Sequence, residues 1–277
     1  MNPLTRLREL WTYRDLIYNL VVRDLKVRYK NSALGILWSW INPLLMMLVF
    51  TFVFTVLAGG SSRLPDYPAF LLSGYLAWNL FSASVMGSVS SIVGNSHLVK
   101  KVYFPHEILP IANVLSKLVN YLLALPVFFV LTIVLGRNPT KWVLLLPAVI
   151  LIQLLFTLGI SFILSAINVF YRDTQIMMEV VILAWFFMTP IFYPINQVAP
   201  EGVTIGNIIT LNSFEVQRWL RLLNPMASIV ASYRDVLYWG VRPGIDFFAR
   251  TAMTGLFFFV AGYLIFLRFS PVFGEEV

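Results

Sequence analysis

His97 and His106 are the two histidines of a 277-residue chain that contains no cysteine. They stand nine positions apart with no carboxylate pair beside them, so no metal site is predicted; disulfides, iron-sulfur ligation and thiolate zinc are excluded. No stretch reads GxxxxGKS or GxxxxGKT and no Gly precedes a Lys, which leaves nucleotide phosphates without a P-loop. HExxH and GxSxG are missing too. The residue types for nucleophilic, metal-assisted or paired-carboxylate chemistry are therefore not assembled, and the chain is predicted to be no enzyme and to bind no cofactor. Among thirteen acidic residues only Glu179 falls inside an apolar run, about one turn from its start, which is thin support for an ion-coupled carrier. Lys117, three turns into another run, reads as a cation that snorkels to the headgroups.

What remains is small, hydroxylic and aromatic. Ser84, Ser88 and Ser91 share one helical face with Gly87 nearby, an arrangement that either admits a neighbouring helix or offers hydroxyls to a polar solute. Trp38 and Trp40 open one apolar run, and Tyr75, Trp78 and Phe81 sit in the next. Such rings form interfacial belts, or they stack on the C–H faces of sugars in a wide conduit. On the second reading Trp38, Tyr75, Trp78, Phe81, Ser84 and Ser88 are candidate lining residues.

The elements that must carry these residues are membrane helices. The chain is 59% hydrophobic and 12% charged, about half the charge of an ordinary soluble domain, with a mean hydropathy of +0.80. Six apolar runs reach spanning length, at about 36–58, 68–93, 108–135, 142–167, 176–195 and 247–269, the second weakened by its serines. The predicted fold is an all-α polytopic membrane protein: a segment 1–35, then a six-helix domain 36–277 whose outer connection covers 196–246.

The first 35 residues hold too many charges for the apolar core of a signal peptide. Leu10, Tyr13, Ile17, Leu20 and Val21 recur at three- and four-residue spacing, which predicts an amphipathic helix lying along the membrane. Orientation follows from the flanking Lys and Arg. An even number of spans puts both termini on one side with eleven cations, Lys100, Lys101, Arg172 and Arg268 among them; the other side's short loops hold Arg63, Arg137 and Lys141. Both termini are thus predicted to be cytoplasmic. In the long outer connection, ITLNSFEVQRWLRLL and NPMASIVASYRDVLYWG are helix-length but too short or polar to span, and read as two gate helices at the outer surface or dipping back into it.

Residues 26–48, KVRYKNSALGILWSWINPLLMML, with VKKVYFPHEILPIA at 99–112, NVFYRDTQ at 168–175 and NPMASIVASYRDVLYWG at 224–240, resemble the permease subunits of type-2 ATP-binding-cassette exporters. The resemblance lies in the branch that exports polysaccharide, O-antigen, capsule and teichoic acid, and it covers nearly the whole chain. It implies that Lys100, Lys101, Val102, Tyr103, Phe104, Pro105, His106 and Glu107 form a coupling loop that presses on a separate ATPase subunit carrying the MgATP. It implies that Arg28, Tyr29 and Lys30 lie at the cytoplasmic mouth, and that Tyr233, Arg234 and Asp235 belong to the second gate helix. Two permeases and two ATPases would form the working unit in a bacterial cytoplasmic membrane, with a lipid-linked glycan as substrate and no nucleic acid partner. Wall teichoic acid export and drug or small-lipid export stay open within the family; an ion-coupled lipid flippase or a membrane transferase would lie outside it.

Overall fold

The structure, a computed structural model, describes residues 9–30, 32–57, 64–195, 203–205 and 209–277. Expectations that fall on Arg6, Arg8, Ala58 to Arg63, 196–202 and 206–208 lie outside the described residues. Helix α1 (Arg14–Tyr29) leads through a 3-10 turn at Gly35–Leu37 to α2 (Trp38–Phe52), prolonged by a π turn at Val53–Leu57. Then come α3 (Tyr67–Val89), the short α4 (Ser96–Lys101), α5 (Ile108–Val134), α6 (Leu146–Phe170) and α7 (Thr174–Met188). Strands β1 (Val203–Ile205) and β2 (Ile209–Leu211) pair antiparallel, Thr204 opposite Thr210. Helix α8 (Ser213–Leu223), α9 (Pro225–Arg234, with a π turn to Trp239), α10 (Ile245–Phe269) and α11 (Phe273–Glu276) complete the chain.

Among the described residues, five stretches are long and apolar enough to cross a membrane: 35–57, 67–89, 108–134, 141–170 and 245–276. Of the expected fifth span at 176–195, only the part up to Met188 is helix. Its helix, α7, has 15 residues, about 22 Å at 1.5 Å per residue against a hydrocarbon core of about 30 Å. The cause is Pro190, which pushes the preceding residue out of the α region: Thr189 has φ −91° and ψ 131°. The apolar sequence continues through Ile191, Phe192 and Tyr193, but the helix does not. The β1–β2 hairpin was not foreseen, because three-residue strands leave no periodicity to read.

Helix α3 is the centre of the molecule. Most of its side chains are buried, and α2, α5, α6, α7 and α9 all contact it. Its serines are compatible with membrane depth because protein, not lipid, surrounds them. Helices α6 and α10 approach more closely than side chains allow: a Cβ on Gly262 would lie 2.1 Å from the Gly159 carbonyl oxygen, and one on Gly159 would lie 2.2 Å from that of Phe258. By contrast α2 and α7 present Leu48, Phe52 and Val56, and Ile176, Val180 and Leu183, outward, as lipid or another apolar surface requires.

Long-range contacts define two ends. At one, Leu20 of α1 joins Phe104, Ile108, Phe162, Phe266 and Phe273 in an apolar cluster, against which Leu10, Tyr13, Ile17 and Val21 pack. The predicted apolar face of the N-terminal segment thus meets protein. This end carries Lys26, Arg28, Lys100 and Lys101, and we call it the basic end. At the other, called the gate end only after the expectation for its two helices, Arg137 Nε donates to Asp66 Oδ2 at 2.6 Å and Arg137 Nη1 to the Tyr238 carbonyl at 3.1 Å, tying three connections together.

Candidate functional sites at the two ends of the bundle

At the basic end the loop after α4 divides in two. Lys100, Lys101, Val102 and Tyr103 are exposed, Tyr103 at 97%, whereas Phe104, Pro105 and Glu107 are buried and His106 is half-buried. The Phe104 ring meets His106 edge-on at 5.6 Å; His106 Nδ1 lies 3.3 Å from the Ser270 carbonyl, a bond made by the tautomer that carries hydrogen on Nδ1. The His106 ring also faces Phe273 at 6.0 Å. Residues from Phe104 onward are therefore the loop's foundation, clamped between α5 and the C-terminal turn. The part that another protein can touch is Lys100 to Tyr103.

Arg28, Tyr29 and Lys30 end α1. The Tyr29 hydroxyl donates to Asn120 Oδ1 of α5, which pins the helix to the bundle, while Arg28 and Lys30 stay exposed. Arg28 lines a cavity of about 600 Å³ between α1, α3 and α5, together with Arg23, Asp24, Asn113 and Lys117. Lys117, read from the sequence as snorkelling to headgroups, faces this cavity.

The aromatic and serine residues of α3 lie inside the chain. Tyr75, Trp78, Phe81, Ser84 and Ser88 are all buried within this chain, and of the six candidate lining residues Trp38 alone is exposed. Trp78 packs on Phe81 and Phe186, with centroids 5.5 and 5.6 Å away. Asn113 Nδ2 donates to the Ser84 carbonyl and to Ser88 Oγ, each at 2.8 Å, and a Cβ on Gly87 would meet Asn113 Oδ1 at 2.4 Å. The serine face thus serves close packing against α5 in this arrangement. Asn113, and Gln153 that donates to the Ala77 carbonyl at 2.6 Å, are the polar groups that the sequence reading missed. Amides inside apolar runs were the available signal.

The gate end is organised around the break in α7. Helix α8 starts with a reciprocal capping box: Asn212 accepts from the Glu215 amide at 2.9 Å and Glu215 Oε2 from the Asn212 amide at 3.0 Å. Asn224 caps α9, with Pro225 in the first turn, and accepts from the Ala227 amide at 3.2 Å. The same side chain accepts from Trp185 Nε1 at 2.8 Å and donates to Thr189 Oγ1 at 3.0 Å. It joins the start of α9 to the end of α7.

About two and a half turns further along, Tyr233 and Arg234 are fully packed and Asp235 is half-buried. Arg234 Nη1 donates to the Pro190 carbonyl at 2.5 Å and Nη2 to that of Ile191, carbonyls that the lost helical ladder leaves free. Its guanidinium lies 3.6 Å from the Phe70 ring centroid. A Cβ on Gly74 would come within 2.9 Å of Nη2, so Gly74 makes the room on α3. A buried guanidinium with no carboxylate within ion-pair distance among the described residues is costly unless its donors are used; here it takes over backbone hydrogen bonding. Burial also raises the Asp235 carboxyl to about 6, with the Arg221 charge pulling the other way.

Residues 15–206 match the model of the ABC-2 type transporter family. Over 98% of both chains, the sequence is 37% identical to the O-antigen export system permease protein RfbA of Myxococcus xanthus. It is 32% identical to the protein of that name from Klebsiella pneumoniae, over 94% of each chain. The polysialic acid transport protein KpsM of Escherichia coli is 23% identical over 88% of this chain and 90% of its own. Spanning-length apolar helices, the two-ended arrangement and full-length similarity converge: the chain is an integral membrane protein and belongs to the permease family of ABC-2 type transporters.

Proposed function

We propose that this chain is the channel-forming permease subunit of an ATP-driven exporter that carries a lipid-linked polysaccharide of the O-antigen kind from the cytoplasmic to the outer side of a bacterial cytoplasmic membrane. The observation that carries the reading is the similarity to an O-antigen export permease, 37% identical over 98% of each chain. Two copies of the chain would work with two ATPase subunits, which bind and hydrolyse MgATP.

The topology that fits has six crossings and both termini in the cytoplasm. Its support is that α1, the loop at 99–107 and the C-terminal turn meet at one end, while the connections at 64–66, 135–140 and 235–240 meet at the other. The fifth crossing would be made by α7 with the extended residues after it, covered by the gate helices α8 and α9. Lys100 to Tyr103 would be the surface that takes the stroke, because it is the exposed part of a loop whose base is locked into the bundle. ATP binding in the partner then biases a two-state membrane element through a rigid lever.

The test is to purify the tagged chain from its native membrane in mild detergent, identify what accompanies it and assay magnesium-dependent ATP hydrolysis. A stoichiometric ATPase subunit, released by Tyr103→Ala while the permease stays folded, supports the proposal. A lone chain without nucleotide hydrolysis, whose transport survives ATP depletion and collapses with an ionophore, would replace it with an ion-driven flippase.

A further inference from the structure

Beside the gate, outside the contacts that fix α9, lies a second cluster of cations. Arg218 and Arg221 stand three residues apart on one face of α8, and Arg250 comes from the first turns of α10. With Gln217, Asp246 and Phe247 they line a cavity of about 410 Å³. The guanidinium carbons of Arg221 and Arg250 lie 5.1 and 5.9 Å from the Phe247 ring centroid, so one ring supports both. Three guanidiniums face two carboxylates, Asp246 in the cavity and Asp235 beyond Arg221, and none of the three makes an ion pair within 4.0 Å among the described residues. Arg221 is half-buried and its Nε is enclosed without a hydrogen-bond partner. Arg221 and Arg250 are partly buried and repel each other, with Arg218 exposed at the rim, so the three are expected to gain from an oxyanion placed between them.

The same helix says where that anion comes from. Trp219, Leu222 and Leu223 are exposed on the neighbouring face of α8, the pattern of a helix that rests its apolar side in a membrane interface. A cavity held at that depth meets phosphates carried on lipids.

We infer that Arg218, Arg221 and Arg250 form a binding site for the phosphate head of a lipid in the outer leaflet, beside the gate. The site rests on the external placement of α8 and α9 in the proposed function. Two sources share its chemistry: the resident anionic phospholipid, and the phosphate-bearing lipid end of an exported glycan.

The test uses the full chain with its co-purifying subunits in phosphatidylcholine nanodiscs. Farnesyl diphosphate, a short-chain phosphatidylglycerol and neutral farnesol are titrated, with tryptophan fluorescence as the readout. Both phosphate lipids, or the diphosphate alone, are expected to bind more tightly than farnesol. The double variant R218Q/R250Q should weaken that binding by about ten-fold or more, R218K/R250K by less, and R242Q, an exposed cation outside the cavity, not at all. Weakening for both lipids makes resident phospholipid the source; weakening for the diphosphate alone makes it the lipid end of the cargo. Equal weakening by R242Q, or none by R218Q/R250Q in a protein that elutes and melts like the parent, overturns the site. Binding requires no ATP turnover, so loss of the exporter reading would leave this result legible.

Discussion

The two ends of the bundle are held by different physics. At the basic end, aromatic and aliphatic side chains lock the base of the loop: Phe104 and Phe273 flank His106, Phe266 packs on Phe273, and Lys100 and Lys101 stay exposed. At the gate end, the decisive contacts are polar and inside: Asn224 and Arg234 supply hydrogen bonds to the chain that leaves α7 at Thr189 and Pro190. Close-packed rings resist displacement and transmit strain, whereas a hydrogen-bonded cap is made or broken over a fraction of an ångström. The first suits a lever that must stay rigid. The second suits a closure with two discrete states.

The largest effect should come from Arg234→Ala. It leaves buried carbonyls of residues 190 and 191 without donors and empties the space over Phe70, so stability should fall by about 3 kcal/mol or more, read as the melting temperature in detergent. Arg234→Lys should recover part of it, since an ammonium cannot serve both carbonyls with the same fork. Parent-like melting of both variants would show that the gate end does not depend on this cap. Phe273→Ala tests the opposite end. Removing a buried ring should lower stability by about 3 kcal/mol and detach the ATPase, while leaving farnesyl diphosphate binding at the gate unchanged. Asn224→Ala removes an N-cap and the bonds to Trp185, Met188 and Thr189, for a loss of about 2 kcal/mol; Asn224→Ser, which keeps the cap alone, should fall between.

Asp235 gives a smaller, pH-dependent signature. Its folded carboxyl titrates near 6, above its ordinary value of 3.8, because burial disfavours the anion. The folded state therefore favours the protonated form: its contribution is full below 3.8 and is lost as pH rises through 6. Because the group is partly exposed, solvent limits the effect to about 1 kcal/mol. Asp235→Asn should gain that much over the parent at pH 7.5 and nothing at pH 4, compared by melting at both values. A constant difference between the two proteins would place the carboxyl in water. Smallest for stability is Tyr103→Ala, expected within about 0.5 kcal/mol of the parent because the ring touches little of its own chain. Its effect should appear only in ATPase association.

Spans with smooth apolar composition were legible from length alone, and the starts and ends of α5 and α10, and of α2 taken with its flanking turns, fall within a few residues of expectation. The serines of α3 disguised the most central helix as a weak one, because hydropathy assumes lipid neighbours and α3 has protein neighbours. The end of α7 was written in Thr189-Pro190, yet the apolar run on both sides of it outweighed a single proline. Family motifs located the loop at 99–107 and the Tyr-Arg-Asp of α9, but pattern could not say which side chains face inward. That division depends on partners such as Ser270 and the 190–193 carbonyls, which are distant in sequence. Asn113 and Gln153 were visible as polar residues in apolar runs; their partners on α3 were not.

The most direct test of a two-ended molecule uses the fact that the chain has no cysteine. Single cysteines at Tyr103 and at Val241, both exposed in the structure, are reacted with a membrane-impermeant maleimide in intact spheroplasts and again after lysis. Val241→Cys should be labelled in intact spheroplasts and Tyr103→Cys only after lysis, with labelling at Tyr103 suppressed when the ATPase is bound. Labelling of both positions from the same side, or of Tyr103→Cys alone before lysis, would contradict the two-ended arrangement.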